Sequence, residues 1–119
     1  LTGRDEPNMS VGTRDSFAEH RLPAAAGTRF LFKPTPQEAD LPFKERACAL
    51  LAAERPVLLA VENEPANANM MRRLFPDALV ALIETITSPN PATPDPGILR
   101  FRGYAGDDGN DGYVGPQEA

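Results

Sequence analysis

Residues 57–67 read V-L-L-A-V-E-N-E-P-A-N. The apolar, partly β-branched run 57–61 predicts a strand buried on both faces. The pattern then changes to Glu62, Asn63 and Glu64, and Pro65 opens a helical stretch. A strand that delivers carboxylates at its carboxyl end, just ahead of a helix, sets them where open α/β sheets bind ligands. Acidic groups there suit a hard cation such as Mg²⁺. Taken alone, the stretch suits better a solvated turn whose glutamates complement the positive end of the helix dipole.

Outward from this stretch, strands and helices alternate. Downstream, the helix is expected to reach about Phe75 with Met70, Met71, Leu74 and Phe75 inward. Residues 78–83 then predict a second buried strand that ends at Glu84. Upstream, Asp40 reads as the cap of a helix with Pro42 in its first turn, running to about Glu54 on the apolar positions Phe43, Ala47, Leu50 and Leu51. Residues 29–33 predict a short strand closed by Pro34. Thr13 reads as the N-cap of a helix over about 14–21, with residues 5–12 as a loop. Leu1-Thr2-Gly3-Arg4 reads as a strand running into a loop, where a hydroxyl, backbone N–H groups and a cation suit an anion.

Residues 86–97 hold four prolines and read as a loop, 98–101 as a last short strand, and 103–119 as a flexible acidic tail rich in Gly and Asp. This divides the chain into a core, 1–102, and the tail. Within the tail, Asp107, Asp111, Gly112, Val114 and Glu118 fall on a calcium-loop template, but Gly109 stands where an Asp or Asn is required. The order strand, helix, strand, helix, strand predicts an α/β fold with a parallel sheet and right-handed crossovers.

Composition limits the function classes. The 119 residues carry 12 basic and 17 acidic side chains, a net charge of −5. Residues 1–56 are balanced, with eight of each sign, so the excess lies in the second half. A nucleic-acid surface needs a basic stripe, which is missing. No apolar run reaches the roughly 20 residues of a membrane span. Lone Cys48 falls in a helical apolar pattern and reads as a small core residue; lone His20 sits at a helix end. One thiol and one imidazole exclude a His/Cys metal centre.

Taken in order, L-T-G-R at 1–4, the T…F-A-E-H-R-L-P stretch that follows, L-P-F-K ending at Lys44, and V-E-N-E-P-A-N at 61–67 resemble the second half of a haloacid dehalogenase-like (HAD) superfamily hydrolase of the acid-phosphatase sort. The resemblance spans about residues 1–85. It implies a Rossmann-like three-layer parallel sheet that is incomplete at its N-terminus. It also implies a Mg²⁺-dependent phosphomonoester hydrolase acting through an aspartyl-phosphate on a small phosphorylated substrate, with a cytoplasmic location expected. Thr2 and Lys44 would be catalytic, Thr2, Gly3 and Arg4 would hold the phosphoryl group, and Glu62, Asn63 and Asn67 would hold the metal. Two departures stand out. Val61-Glu62 replaces the usual Gly-Asp, and no aspartate in the chain has a second aspartate two positions on, so the D-x-D nucleophile motif is absent. The chain is therefore expected to be a fragment, inactive alone and marginally stable, with exposed sheet edges. The alternatives are a non-catalytic α/β module that binds an anion or a metal, and a small acidic interaction protein.

Overall fold

The computed structural model describes residues 1–24, 27–103 and 112–119. The fold is α/β, with three helices and a four-stranded mixed sheet among the described residues. The chain divides into two compact units, Leu1–Ala47 and Cys48–Ala119, with the boundary inside a helix.

In the first unit, helix α1 spans Glu6–Glu19, starting eight residues before the expected first position, 14. Asp5 caps it, its carboxylate accepting from the Asn8 backbone N–H at 2.9 Å, and Pro7 sits in the first turn. Thr13 is therefore interior to the helix and not its cap. It is buried, as is Ser10, and their hydroxyls donate to the Met9 and Glu6 carbonyls. The inward face of this helix is built from hydroxyl residues, so apolar periodicity misses it.

Residues 29–33 do not form a regular strand of the sheet. Residues 2–6 and 31–33 instead run side by side in parallel. Thr2 N–H donates to Leu31 O, Lys33 N–H to Arg4 O and Glu6 N–H to Lys33 O, at 3.0, 2.9 and 2.7 Å. Helix α2 spans Asp40–Glu54, as expected. Its buried positions are Phe43, Lys44 and Cys48, whereas Leu50 is 65% exposed, so the inward stripe is turned by about one residue from the predicted one.

The second unit holds the sheet, in the order β1 (Leu59–Glu62), β2 (Leu79–Ile83), β3 (Leu99–Phe101), β4 (Tyr113–Pro116). The first three strands are parallel and β4 runs antiparallel to β3. Helix α3 (Pro65–Leu74) crosses between β1 and β2 and packs on both. Its Met70 and Met71 join Ala60, Val80, Leu82 and Ile98 in the core, with Cys48 from α2. β1 is not buried on both faces. Ala60 and Glu62 point inward while Leu59 and Val61 are 58% and 55% exposed. The strand lies at the sheet's edge and α3 covers the Ala60 face, so the expected double burial fails and alternation appears instead. Part of the expected tail is ordered: Gln117 N–H donates to Ile98 O at 2.7 Å and closes the β3–β4 pair. Asp107 and Asp111 lie outside the described residues.

Candidate functional site

The acidic turn after β1 is built as its sequence suggests. The strand ends with Glu62 and α3 begins at Pro65, which needs no N–H donor partner at that position. Glu62 is 8% exposed, and its Oε1 accepts from the Asn63 and Glu64 backbone N–H groups at 2.9 and 3.2 Å. The carboxylate thus ties the chain reversal together. Asn63 Nδ2 donates to Ile86 O at 3.2 Å. Glu64 accepts from Ser88, from the backbone N–H at 3.0 Å and from Oγ at 2.8 Å. The turn is thereby pinned to the segment that follows β2. One step further, Asn69 bridges Thr93 O and the Asp95 N–H at 2.9 and 2.7 Å. Asn67, on the first turn of α3, is buried.

These contacts bear on the metal expected here. Mg²⁺ takes oxygen ligands and is commonly held by one or two carboxylates while keeping several waters. Glu62, Asn63 and Asn67 offer one carboxylate and two amides. The neighbouring carboxylate, Glu64, is taken up by Ser88. No group of three or more His, Cys, Asp or Glu side chains able to hold a metal ion occurs among the described residues. No fully buried side-chain nitrogen or oxygen among them lacks a hydrogen-bond partner, so no orphaned group marks a missing ligand. Toward a cation, Glu62, Asn63 and Asn67 thus supply one carboxylate and two amide side chains.

In the first unit, Thr2 and Gly3 sit at the start of the parallel pairing with residues 31–33. The Thr2 hydroxyl accepts from the Arg4 backbone N–H at 3.2 Å. A Cβ at Gly3 would collide with the carboxylate of Asp40. That carboxylate is held by Lys33, whose Nζ lies 2.8 Å from Asp40 Oδ1 and donates also to Glu38 O at 2.9 Å. Asp40 therefore spends its side chain on Lys33 and is the first residue of α2. Arg4 points its guanidinium at α1, where Nη1 donates to Thr13 Oγ1 at 3.1 Å. Lys44 lies one turn into α2 and is 7% exposed.

Sequence reasoning missed Lys33 and Glu64 as organising groups. Lys33 closes residues 34–39 against the start of α2, and Glu64 holds the Ser88 segment. Lys33 ends an apolar run, R-F-L-F-K, and that placement is the available signal. Nothing local indicates Ser88, which lies 24 residues from Glu64. Comparison with known protein families, characterised proteins and solved structures finds no match for this chain.

Proposed function

We propose that this chain carries the phosphate-holding and metal-holding part of a HAD-like phosphohydrolase acting on a small phosphomonoester. The observation that carries the reading is the parallel β1–α3–β2 unit: it buries Glu62 at the carboxyl end of β1 against the start of α3, and β1 is an edge strand of the sheet among the described residues. In this reading a further parallel strand, ending in D-x-D, pairs with that edge and completes a Rossmann-like sheet with layers on both faces. The exposed Leu59 and Val61 would lie beside it.

The chemistry follows from the parts. An aspartate from the added strand would attack phosphorus as the P–O bond to the alcohol breaks, and water would then hydrolyse the aspartyl-phosphate to phosphate, which divides hydrolysis into two easier steps. The Thr2 hydroxyl, the N–H groups near Gly3 and Arg4, and the Lys44 ammonium stabilise charge on the transferring phosphoryl group. Mg²⁺, when bound, would neutralise attacking and leaving oxygens. Glu62 would be its carboxylate here, with Asn63 and Asn67 assisting, and a second carboxylate would come from the added strand. Without D-x-D these residues alone do not turn over phosphate esters. A cytoplasmic enzyme is the setting this reading implies.

The test is thermal unfolding of the 119-residue chain with MgCl₂ and inorganic phosphate, alone and together. Stabilisation by both ligands is expected, with Glu62→Gln removing the Mg²⁺ part and Lys44→Met the phosphate part. Absence of any shift, or equal shifts in both variants, rules the reading out. A second reading, a non-catalytic module that binds the same ions, is favoured by the missing D-x-D. A synthetic strand peptide ending in D-x-D separates the two: phosphatase turnover on mixing supports the hydrolase, and ligand binding without turnover supports the module.

A further inference from the structure

The first unit contains a cavity of about 400 Å³ that reaches from Thr2 and Arg4 to an apolar wall the expected chemistry does not use. Its apolar wall is formed by Leu1, Phe17, Leu22, Phe30 and Leu31, and its polar groups are Thr2, Arg4, Thr13 and Ser16. No carboxylate lines it, in a chain where acidic residues outnumber basic ones by 17 to 12. Its size falls within the range of small-molecule sites, roughly 300–1,000 Å³, which combine apolar walls with a few placed polar groups.

The polar end is organised. The Thr13 hydroxyl donates to Met9 O at 2.8 Å, which leaves its oxygen to accept from Arg4 Nη1 at 3.1 Å. Thr13 is buried, and this relay fixes one edge of the guanidinium. A guanidinium has five N–H donors in a rigid fork suited to carboxylate or phosphate oxygens, and this contact uses one nitrogen of the fork. Lys33 pairs with Asp40, Arg46 with Glu38 and Arg100 with Glu84, and Arg4 takes no part in these pairs. The apolar end is built on ring contacts. Phe17 and Phe30 meet edge to face with centroids 5.1 Å apart, and Arg14 covers Phe30 at 4.7 Å. Leu22 is placed by the left-handed Arg21 (φ 51°) and by its N–H bond to Phe17 O at 2.9 Å.

We propose that this cavity binds a small amphipathic anion, its head on the Arg4 guanidinium and its apolar body between Phe17, Leu22 and Leu31. A carboxylate and a phosphate monoester present the same oxygen geometry to Arg4, and either serves as the head. The proposal shares Thr2 and Arg4 with the phosphohydrolase reading but uses neither Lys44 nor Glu62, and binding of a carboxylate head can succeed where that reading fails.

The experiment is titration of the ¹⁵N-labelled chain with 2-naphthoate, 2-naphthyl phosphate and neutral 2-naphthalenemethanol, followed by amide NMR. Saturable shifts are expected at Thr2, Arg4, Thr13, Phe17 and Leu31. Because hydrogen bonds to charged groups are the stronger class, the alcohol should bind about tenfold more weakly than the anions. Arg4→Gln should bring the anions down to the alcohol's affinity, while Arg73→Gln, an equal charge change in the other unit, should leave them unchanged. The carboxylate and phosphate arms show which head the site prefers, and binding of either supports the proposal. Shifts that map elsewhere, fail to saturate, or are as strong with the alcohol overturn it. The alcohol comparison uses the unaltered chain, so it decides the matter even if Arg4→Gln misfolds.

Discussion

Replacing Glu62 tests whether the acidic turn is first of all a structural clasp. Its Oε1 accepts two backbone N–H groups in a site that is 8% exposed. Hydrogen bonds to charged groups contribute about 1.5–3 kcal/mol each and neutral ones about 0.5–1.5 kcal/mol. The two share one oxygen, and the longer is 3.2 Å, so they are not fully additive. Glu62→Ala removes both and leaves two donors at the chain reversal, which should cost about 2–4 kcal/mol. Glu62→Gln keeps a carbonyl oxygen in place but loses its charge next to the α3 N-terminus, and should cost about 1 kcal/mol. Urea denaturation, with equal slopes in all variants, measures the difference directly. Magnesium adds a second axis: at ten times a dissociation constant, a ligand specific to the folded state stabilises by about 1.4 kcal/mol. A Mg²⁺-dependent gain in the wild type that Glu62→Gln lacks would show a metal role on top of the clasp. The clasp itself is refuted if Glu62→Ala stays within about 0.5 kcal/mol of wild type, or if Gln is as damaging as Ala.

Gly3→Ala should displace the Asp40 carboxylate from Lys33 and cost about 1–3 kcal/mol; in a double-mutant cycle with Asp40→Asn the two effects should be strongly non-additive, and additivity in urea melts would contradict the close approach. Asp5→Ala removes the α1 cap and should lower stability by about 1 kcal/mol, read by urea denaturation with far-ultraviolet circular dichroism. Met70→Ala, at a fully buried position, should cost about 2–5 kcal/mol, whereas Leu50→Ala should stay within about 0.5 kcal/mol; comparable thermal shifts would put the inward face of α2 back where periodicity had placed it.

Some elements are legible because the information is local. The β1–α3–β2 unit appears at nearly its predicted limits: a run of apolar residues, a proline at the first helical position and methionines at helical spacing act within a few residues of one another. Helix α2 is equally legible in extent but not in facing, since Phe43, Lys44 and Cys48 are inward and Leu50 is not. Helix α1 carried its own start signal in Asp5 and Pro7, obscured because its inward residues, Ser10 and Thr13, satisfy their hydroxyls on the helix backbone.

What local pattern cannot carry is pairing at a distance. Glu64 is an acidic residue before a helix in any reading of 57–67; that it holds Ser88 depends on where the chain returns after β2. Tyr113–Pro116 has the composition of a tail, and becomes β4 because β3 presents an edge to it. The close approach of the Asp40 carboxylate to Gly3 likewise joins residues far apart in the chain. The amino-acid order was thus enough for the alternation of strands and helices, because backbone preference and side-chain period act over a few residues. The partners of its charged groups came only from the folded arrangement, because those depend on contacts whose closure cost and benefit are shared across the whole chain.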